Sequence, residues 1–186
     1  MEIKENNLSI TQILCLAAYY GMARYLPKSQ SIMGGVSKRI RAELCKHIFK
    51  KAGKNINIER NVIFGRGTSI EIGNNSGIGI NAVIPSDTII GDNVMMGPNC
   101  YILMCNHSFS DISKPMNRQG TCEKKQTIIE DDVWIGRNVT MTPGRVIKRG
   151  TIIGACSVLT KDFPEYSIVG GNPAKLIRSR LENNNN

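Results

Sequence analysis

The amino-acid sequence predicts a mainly β protein, a parallel β-helix built from six-residue units, with α-helices at its N-terminus and one loop protruding from the coil. Three observations carry that expectation. Aliphatic residues recur every sixth position as Ile72, Ile78, Ile84, Ile90, Met96 and Ile102, and again as Ile129, Ile135, Met141, Ile147, Ile153 and Leu159. Four positions after most of them stands a small or β-branched residue, namely Ser76, Ala82, Thr88, Val94 and Cys100, then Val133, Val139, Thr151 and Ser157. Gly follows directly at 73, 79, 91 and 97. A period of six is not helical, because 3.6 does not divide it and the glycines would weaken each turn. Flat sides of six residues, with inward aliphatics stacked from turn to turn, satisfy all three observations. Gly and Asn suit the corners, where positive φ is cheap for them.

Ahead of the coil, residues 8–26 and 36–52 read as two helices. Ile10, Ile13, Leu14, Ala17 and Ala18 recur at three and four, with Ser9 or Thr11 as the cap. In the second helix Ile40, Leu44, Ile48 and Phe49 form an apolar stripe, and Lys38, Arg39, Arg41, Lys46, Lys50 and Lys51 cover the rest. Pro27 and the Gly34-Gly35 pair punctuate between the helices, and Gly53 closes the second. These features divide the chain into a basic helical segment (1–54), the coil (55–170) and a C-terminal tail (171–186). Within the coil an early phase, Ile58 with Val62 and Phe64 with Thr68, is offset by two residues around Ile70 and Glu71. The 27 residues from Ile102 to Ile129 are not a multiple of six. A loop of about 105–126 therefore leaves the coil, and a long loop on so regular a scaffold points to function.

The chain holds 24 Lys+Arg against 15 Asp+Glu, a formal charge of +9. Residues 1–60 contain 11 cations and 4 anions, whereas the remainder contains 13 and 11. The excess thus sits on the helical segment, as a solvated face or as a weak peripheral membrane contact through residues 8–52. An aromatic content of 5% is thin for base stacking, so nucleic acid is not expected as a partner. A hydrophobic fraction of 41% is too high for a disordered chain and too low for a multi-span membrane protein. The run Leu8 to Leu26 is interrupted by Thr11, Gln12, Gly21 and Arg24, which makes it a poor spanning helix. The N-terminus lacks the pattern of a cleaved secretory signal. No pair of the 6 cysteines is spaced Cys-x-x-Cys and none lies in a zinc register with a His. Free thiols in a reducing cytoplasm, without a metal, are the expectation.

Only two histidines are present. His47 lies among the lysines of the second helix, where a surface role is the default. His107 stands in CNHSF, where the repeat breaks into the loop, and a neutral imidazole is the usual proton acceptor near pH 7.

The motifs IIGDNVMMGPNC (89–100), NHSF (106–109), IIEDDVWIGRNVTMTPG (128–144), IIGACSVLTKD (152–162) and YSIVGGNPAKLIR (166–178) resemble the hexapeptide-repeat acyltransferases. More narrowly, they resemble the branch of maltose, galactoside and xenobiotic acetyltransferases, and in texture the O-acetyltransferases of surface polysaccharides. The resemblance covers residues 53–180. It implies a left-handed coil and a homotrimer with active sites between subunits. It also implies direct acetyl transfer from acetyl-CoA to a saccharide hydroxyl, while the free thiols point to a cytoplasmic enzyme and a membrane contact through the basic helices would place it at the inner face. His107 matches the family's general base. Trp134, Asn106 and Asn81 match or neighbour substrate-binding positions. Gly136 and Ala155 match pantetheine contacts, and Thr160, Lys161, Lys175 and Arg178 match positions near the nucleotide end, where cations suit phosphate.

Several positions depart from the family pattern. Arg145 occupies a companion slot that is usually small and aliphatic, so the corner is distorted or the side chain points outward. Lys148-Arg149 replaces a Gly-acidic pair. Gly79 stands where galactoside acetyltransferases carry an acceptor-binding Asn, with Asn81 nearby. Asp92, Asp111 and Glu130 are the candidates for a carboxylate orienting His107. N-acetylation of an amino sugar or nucleotide sugar is the alternative enzyme reading, and a non-catalytic trimeric scaffold the alternative outside enzymology. The γ-type carbonic anhydrases share the texture but need three zinc-binding histidines. Serine acetyltransferases have a much larger helical N-terminal region.

Overall fold

The computed structural model describes residues 8–183. Helix α1 (Ile10–Gly21) opens with a capping box, in which the Gln12 N–H donates to Ser9 Oγ and the Ser9 N–H donates to Gln12 Oε1, each at 3.1 Å. Such a cap stabilises the helix start by about 1 kcal/mol. The helix stops at Gly21 and a short 3₁₀ turn follows at Ala23–Tyr25, so the expected run to residue 26 is divided. Helix α2 (Gly34–Ile48) begins on the glycine pair expected to separate the helices. A Cβ on Gly34 would lie 2.0 Å from the Ser29 carbonyl oxygen, so glycine is needed there for close approach. Lys51–Ala52 already pairs in parallel with Glu71–Ile72. The coil therefore starts before the expected boundary at 54, and Gly53 belongs to its first turn. No helix among the described residues is long and apolar enough to cross a membrane.

The coil has three faces of two-residue parallel strands. Lys51–Ala52, Glu71–Ile72, Ile89–Ile90, Ile128–Ile129 and Val146–Ile147 form the first. The second carries Asn57–Ile58 and Gly77–Ile78, then Met95–Met96, Trp134–Ile135, Ile152–Ile153 and Ser167–Gly170. Tyr101–Ile102, Thr140–Met141 and Val158–Leu159 form the third, extended by bridges through Ile63 and Val83. Strand partners lie 18 residues apart from Glu71 to Ile89, but 20 apart from Lys51 to Glu71. The two extra residues fall after Phe64, and Ile70, fully buried, takes the companion slot expected for Thr68. Inward residues stack as the hexad pattern requires, with Ile58, Ile72, Ile78, Ile90, Ile129 and Ile135 at most 2% exposed. Each such burial is worth about 1.5–3 kcal/mol relative to exposure.

One corner is an asparagine ladder. Asn61, Asn81, Asn99 and Asn138 adopt φ of 61°, 57°, 59° and 56°. Each amide donates to the next, Asn61 to Asn81 at 3.1 Å, Asn81 to Asn99 at 2.9 Å and Asn99 to Asn138 at 3.0 Å. Asn tolerates this left-handed conformation better than other non-glycine residues. Arg145 points outward, and its guanidinium donates to the Thr160 carbonyl at 3.1 Å and pairs with Asp162 at 3.3 Å. The departure in that companion slot thus braces the next turn.

The helices dock on the first turn of the coil through Tyr19, Phe49 and Phe64, whose rings meet at centroid distances of 4.7 and 5.0 Å. Arg41, fully buried, donates to the carbonyls of Ile58 (2.6 Å), Leu26 (3.2 Å) and Pro27 (3.0 Å), and lies 3.7 Å from Glu59. Glu59 also accepts from the hydroxyl and N–H of Ser29, so the segment between the helices is pinned to the second face.

Candidate active site

The regular alternation that sends Ile135 and Ile153 inward sends their predecessors outward. Trp134 therefore stands on the second face, 52% exposed, between Met95 and Ile152 in neighbouring turns. A core role for Trp134 is thereby excluded. Beside it runs a groove of about 470 Å³ lined by Gly97, Pro98, Gly136, Gly154 and Ala155. A Cβ on Gly136 would come within 2.6 Å of the Ala155 nitrogen, so glycine keeps successive turns close at the groove floor. Pro98 also lines a second cleft of about 290 Å³, bounded by Lys28, Ser29, Gln30, Asn57 and Glu59. The two clefts meet at Pro98 and together make up a trough beside the second face.

His107 lies elsewhere, past the end of the third face, on the neck of the loop. The neck is a short antiparallel pair in which His107 bridges Thr121, the Cys122 N–H donates to the Asn106 carbonyl at 2.8 Å and the Ser108 N–H to the Gly120 carbonyl at 3.1 Å. The return leg is anchored by Lys124 to Asp87 at 3.1 Å and by the Gln126 amide to the Asp87 carbonyl at 2.7 Å. His107 is exposed, and so are Phe109, Ile112 and Met116 beyond it, at 68%, 101% and 66%. Exposed apolar side chains on a well-bonded loop make it a candidate contact surface.

The remaining expected residues divide by position. Trp134, Gly136 and Ala155 share the groove. Lys175 and Arg178 are exposed on Lys175–Ser179, antiparallel to the last strand of the same sheet. Thr160 and Lys161 follow the last strand of the third face, and the Ala174 N–H donates to the Val158 carbonyl at 2.8 Å, drawing the two ends together. Asn81 is not aimed into the trough, since its amide is engaged in the corner ladder. The three candidates for a single carboxylate orienting His107 have other partners. Asp92 accepts from the Asn74 N–H at 2.6 Å, and Asp111 caps Ser113 and pairs with Lys114 at 3.1 Å. Glu130 pairs with Lys148 at 2.9 Å and accepts from the Arg149 N–H at 2.9 Å, which explains that basic pair. Burial opposes the Glu130 charge, but these two partners hold its carboxyl below the usual range.

Sequence reasoning missed Met95 and the cleft beside Glu59. Met95 was detectable, because it precedes the inward Met96 as Trp134 precedes Ile135. The cleft was not, since Lys28 and Glu59 meet only through packing. Among the described residues no group of three His, Cys, Asp or Glu is placed to hold a metal ion.

A family model described as bacterial transferase hexapeptide (six repeats) matches residues 69–103 and 126–161, on either side of the loop. Galactoside O-acetyltransferase of Escherichia coli K12 is 34% identical over 140 residues, 74% of this chain and 68% of that enzyme. This chain belongs to the hexapeptide-repeat acetyltransferases. A solved maltose O-acetyltransferase from Clostridium difficile 630 superposes with a TM-score of 0.72 at 29% identity, over 91% of this chain and 86% of the other. A galactoside acetyltransferase solved in complex with coenzyme A gives 0.72 at 29% identity, over 94% and 84%. As a member of the family the chain is an acyltransferase, and its loop is an insertion between matched repeats.

Proposed function

We propose that this acetyltransferase transfers the acetyl group of acetyl-CoA to a hydroxyl of a saccharide, either a small sugar or a surface-polysaccharide precursor, as a homotrimer. The supporting observation is the division of the site. His107 and Trp134 lie at different faces of one chain, and each is accompanied by exposed apolar side chains. A neighbouring copy that lays its loop along the Trp134 groove covers Phe109, Ile112 and Met116 and places His107 beside the trough.

In that arrangement pantetheine follows the exposed backbone at Gly136 and Ala155, and Lys161, Lys175 and Arg178, with Thr160, face the nucleotide phosphates. The acceptor enters from the cleft at Lys28 and Glu59, with Asn106 beside the base. The His107 imidazole removes the hydroxyl proton as that oxygen attacks the thioester carbon. Preorganised donors stabilise the tetrahedral oxyanion. Its collapse expels the coenzyme A thiolate, which takes the proton back from the imidazolium. The six cysteines among the described residues are all free, in keeping with a cytoplasmic enzyme.

A screen of sugars and glycosides with acetyl-CoA, read by thiol release and by the mass of the product, tests the proposal. Acetyl ester on a sugar hydroxyl is the expected product. An amide product on an amino sugar, or no turnover with any saccharide, would replace it.

A further inference from the structure

The segment joining the helices carries side chains that the acetyl-transfer chemistry does not use. Ile32 is fully exposed, and Met22, Tyr25, Met33 and Val36 are each more than half exposed. They do not belong to a loose strand. Arg41 holds the carbonyls of Leu26 and Pro27, and Glu59 holds Ser29, so these apolar groups are presented outward on an anchored support. A patch of this kind marks an interaction site.

Its charge indicates the partner. Residues 8–42 contain Arg24, Lys28, Lys38, Arg39 and Arg41 and no acidic residue. Arg41 is buried, while Arg24 lies over the Tyr25 ring at 5.0 Å, inside the apolar patch. Exposed apolar side chains with Arg24 and Lys28 set among them, and with the neighbouring carboxylate Glu59 buried against Arg41 and Ser29, fit the interface of an anionic bilayer, where each exposed cation contributes about 1 kcal/mol. A two-fold contact of the patch with itself fits poorly, because it would oppose the like charges of Arg24 and Lys28. Lys28, Ser29 and Gln30 of this segment also line the cleft beside Glu59, so that cleft opens next to the patch.

We propose that residues 22–36 form a docking surface for an anionic membrane. The proposal does not depend on the acceptor being a sugar, and an inactive acceptor screen leaves it intact. Flotation of the full chain with vesicles of phosphatidylglycerol and phosphatidylcholine (1:1), and with phosphatidylcholine alone, tests it. Binding to the anionic vesicles only, reduced about tenfold or more in Ile32→Ser/Met33→Ser, is the expected result. Thermal melting and thiol release with acetyl-CoA monitor folding of that variant, and light scattering monitors its oligomeric mass. Equal binding to both vesicles, no binding, or undiminished binding by the folded variant would overturn the proposal. A changed oligomeric mass in the variant would also overturn it, assigning the patch to a subunit contact.

Discussion

His107 and Thr121 face each other across an antiparallel bridge at the base of the loop, fourteen residues apart in sequence and adjacent in the fold. The bridge fixes the backbone of the imidazole, so its position does not depend on the apolar tip beyond it. His107→Ala is expected to lower turnover by about two to four orders of magnitude while thermal melting is unchanged, because the variant loses only the proposed proton acceptor. Steady-state thiol release measures this, and near-normal turnover would remove His107 from the mechanism.

Trp134 stands on a different face, beside the groove floored by Gly136 and Ala155. Trp134→Ala is expected to raise KM for acetyl-CoA roughly tenfold, the cost of about 1.4 kcal/mol of lost contact. Stability should hardly change, since the indole is half exposed before any ligand or subunit covers it. A loss of melting temperature with unaltered KM would make the indole a structural group only.

Asn81 separates the ladder from the acceptor site. Asn81→Ala places a residue without a local hydrogen bond at φ 57° and breaks two rungs, so unfolding free energy should fall by about 1–2 kcal/mol. Turnover per folded enzyme should stay within about twofold. Denaturant unfolding together with kinetics at saturating acceptor decides between the roles.

Glu59 gives the pH dependence a definite sign. Burial opposes its charge, but the Ser29 hydroxyl and N–H, the Asn57 amide and the Arg60 N–H outweigh burial and hold the carboxyl below the ordinary 4.5. A carboxyl depressed in the folded state contributes stability that is complete above its unfolded pKa and is lost as pH falls through the folded pKa. Glu59→Gln is therefore expected to cost about 3 kcal/mol at pH 7, where it strands the buried Arg41 charge. The difference from the parent chain should shrink below pH 4.5, as urea titrations at several pH values would show.

Much of the fold was legible because the hexad register is a local property. Each aliphatic declares its own inward direction, and its predecessor's outward direction, without reference to distant residues. The loop was legible for the same reason, as a break in that register. Helix ends were less so. Gly34 and Gly53 read as punctuation, yet one enters α2 beside the Ser29 carbonyl and the other already lies in the coil.

The site divides along the same line. His107, Trp134, Gly136 and Ala155 were singled out from motif and register as candidates, and Trp134 projects outward because Ile135 projects inward. The sequence alone therefore determined the coil, its interruption and the family to which these motifs belong. Only the tertiary structure decided that His107 and Trp134 occupy different faces, that Asn81 is held in a corner, and that Lys28 and Glu59 share a cleft. Those are contacts between segments widely separated in the chain, set by how three sides close into turns and how a buried Arg41 fastens the helices onto the first of them.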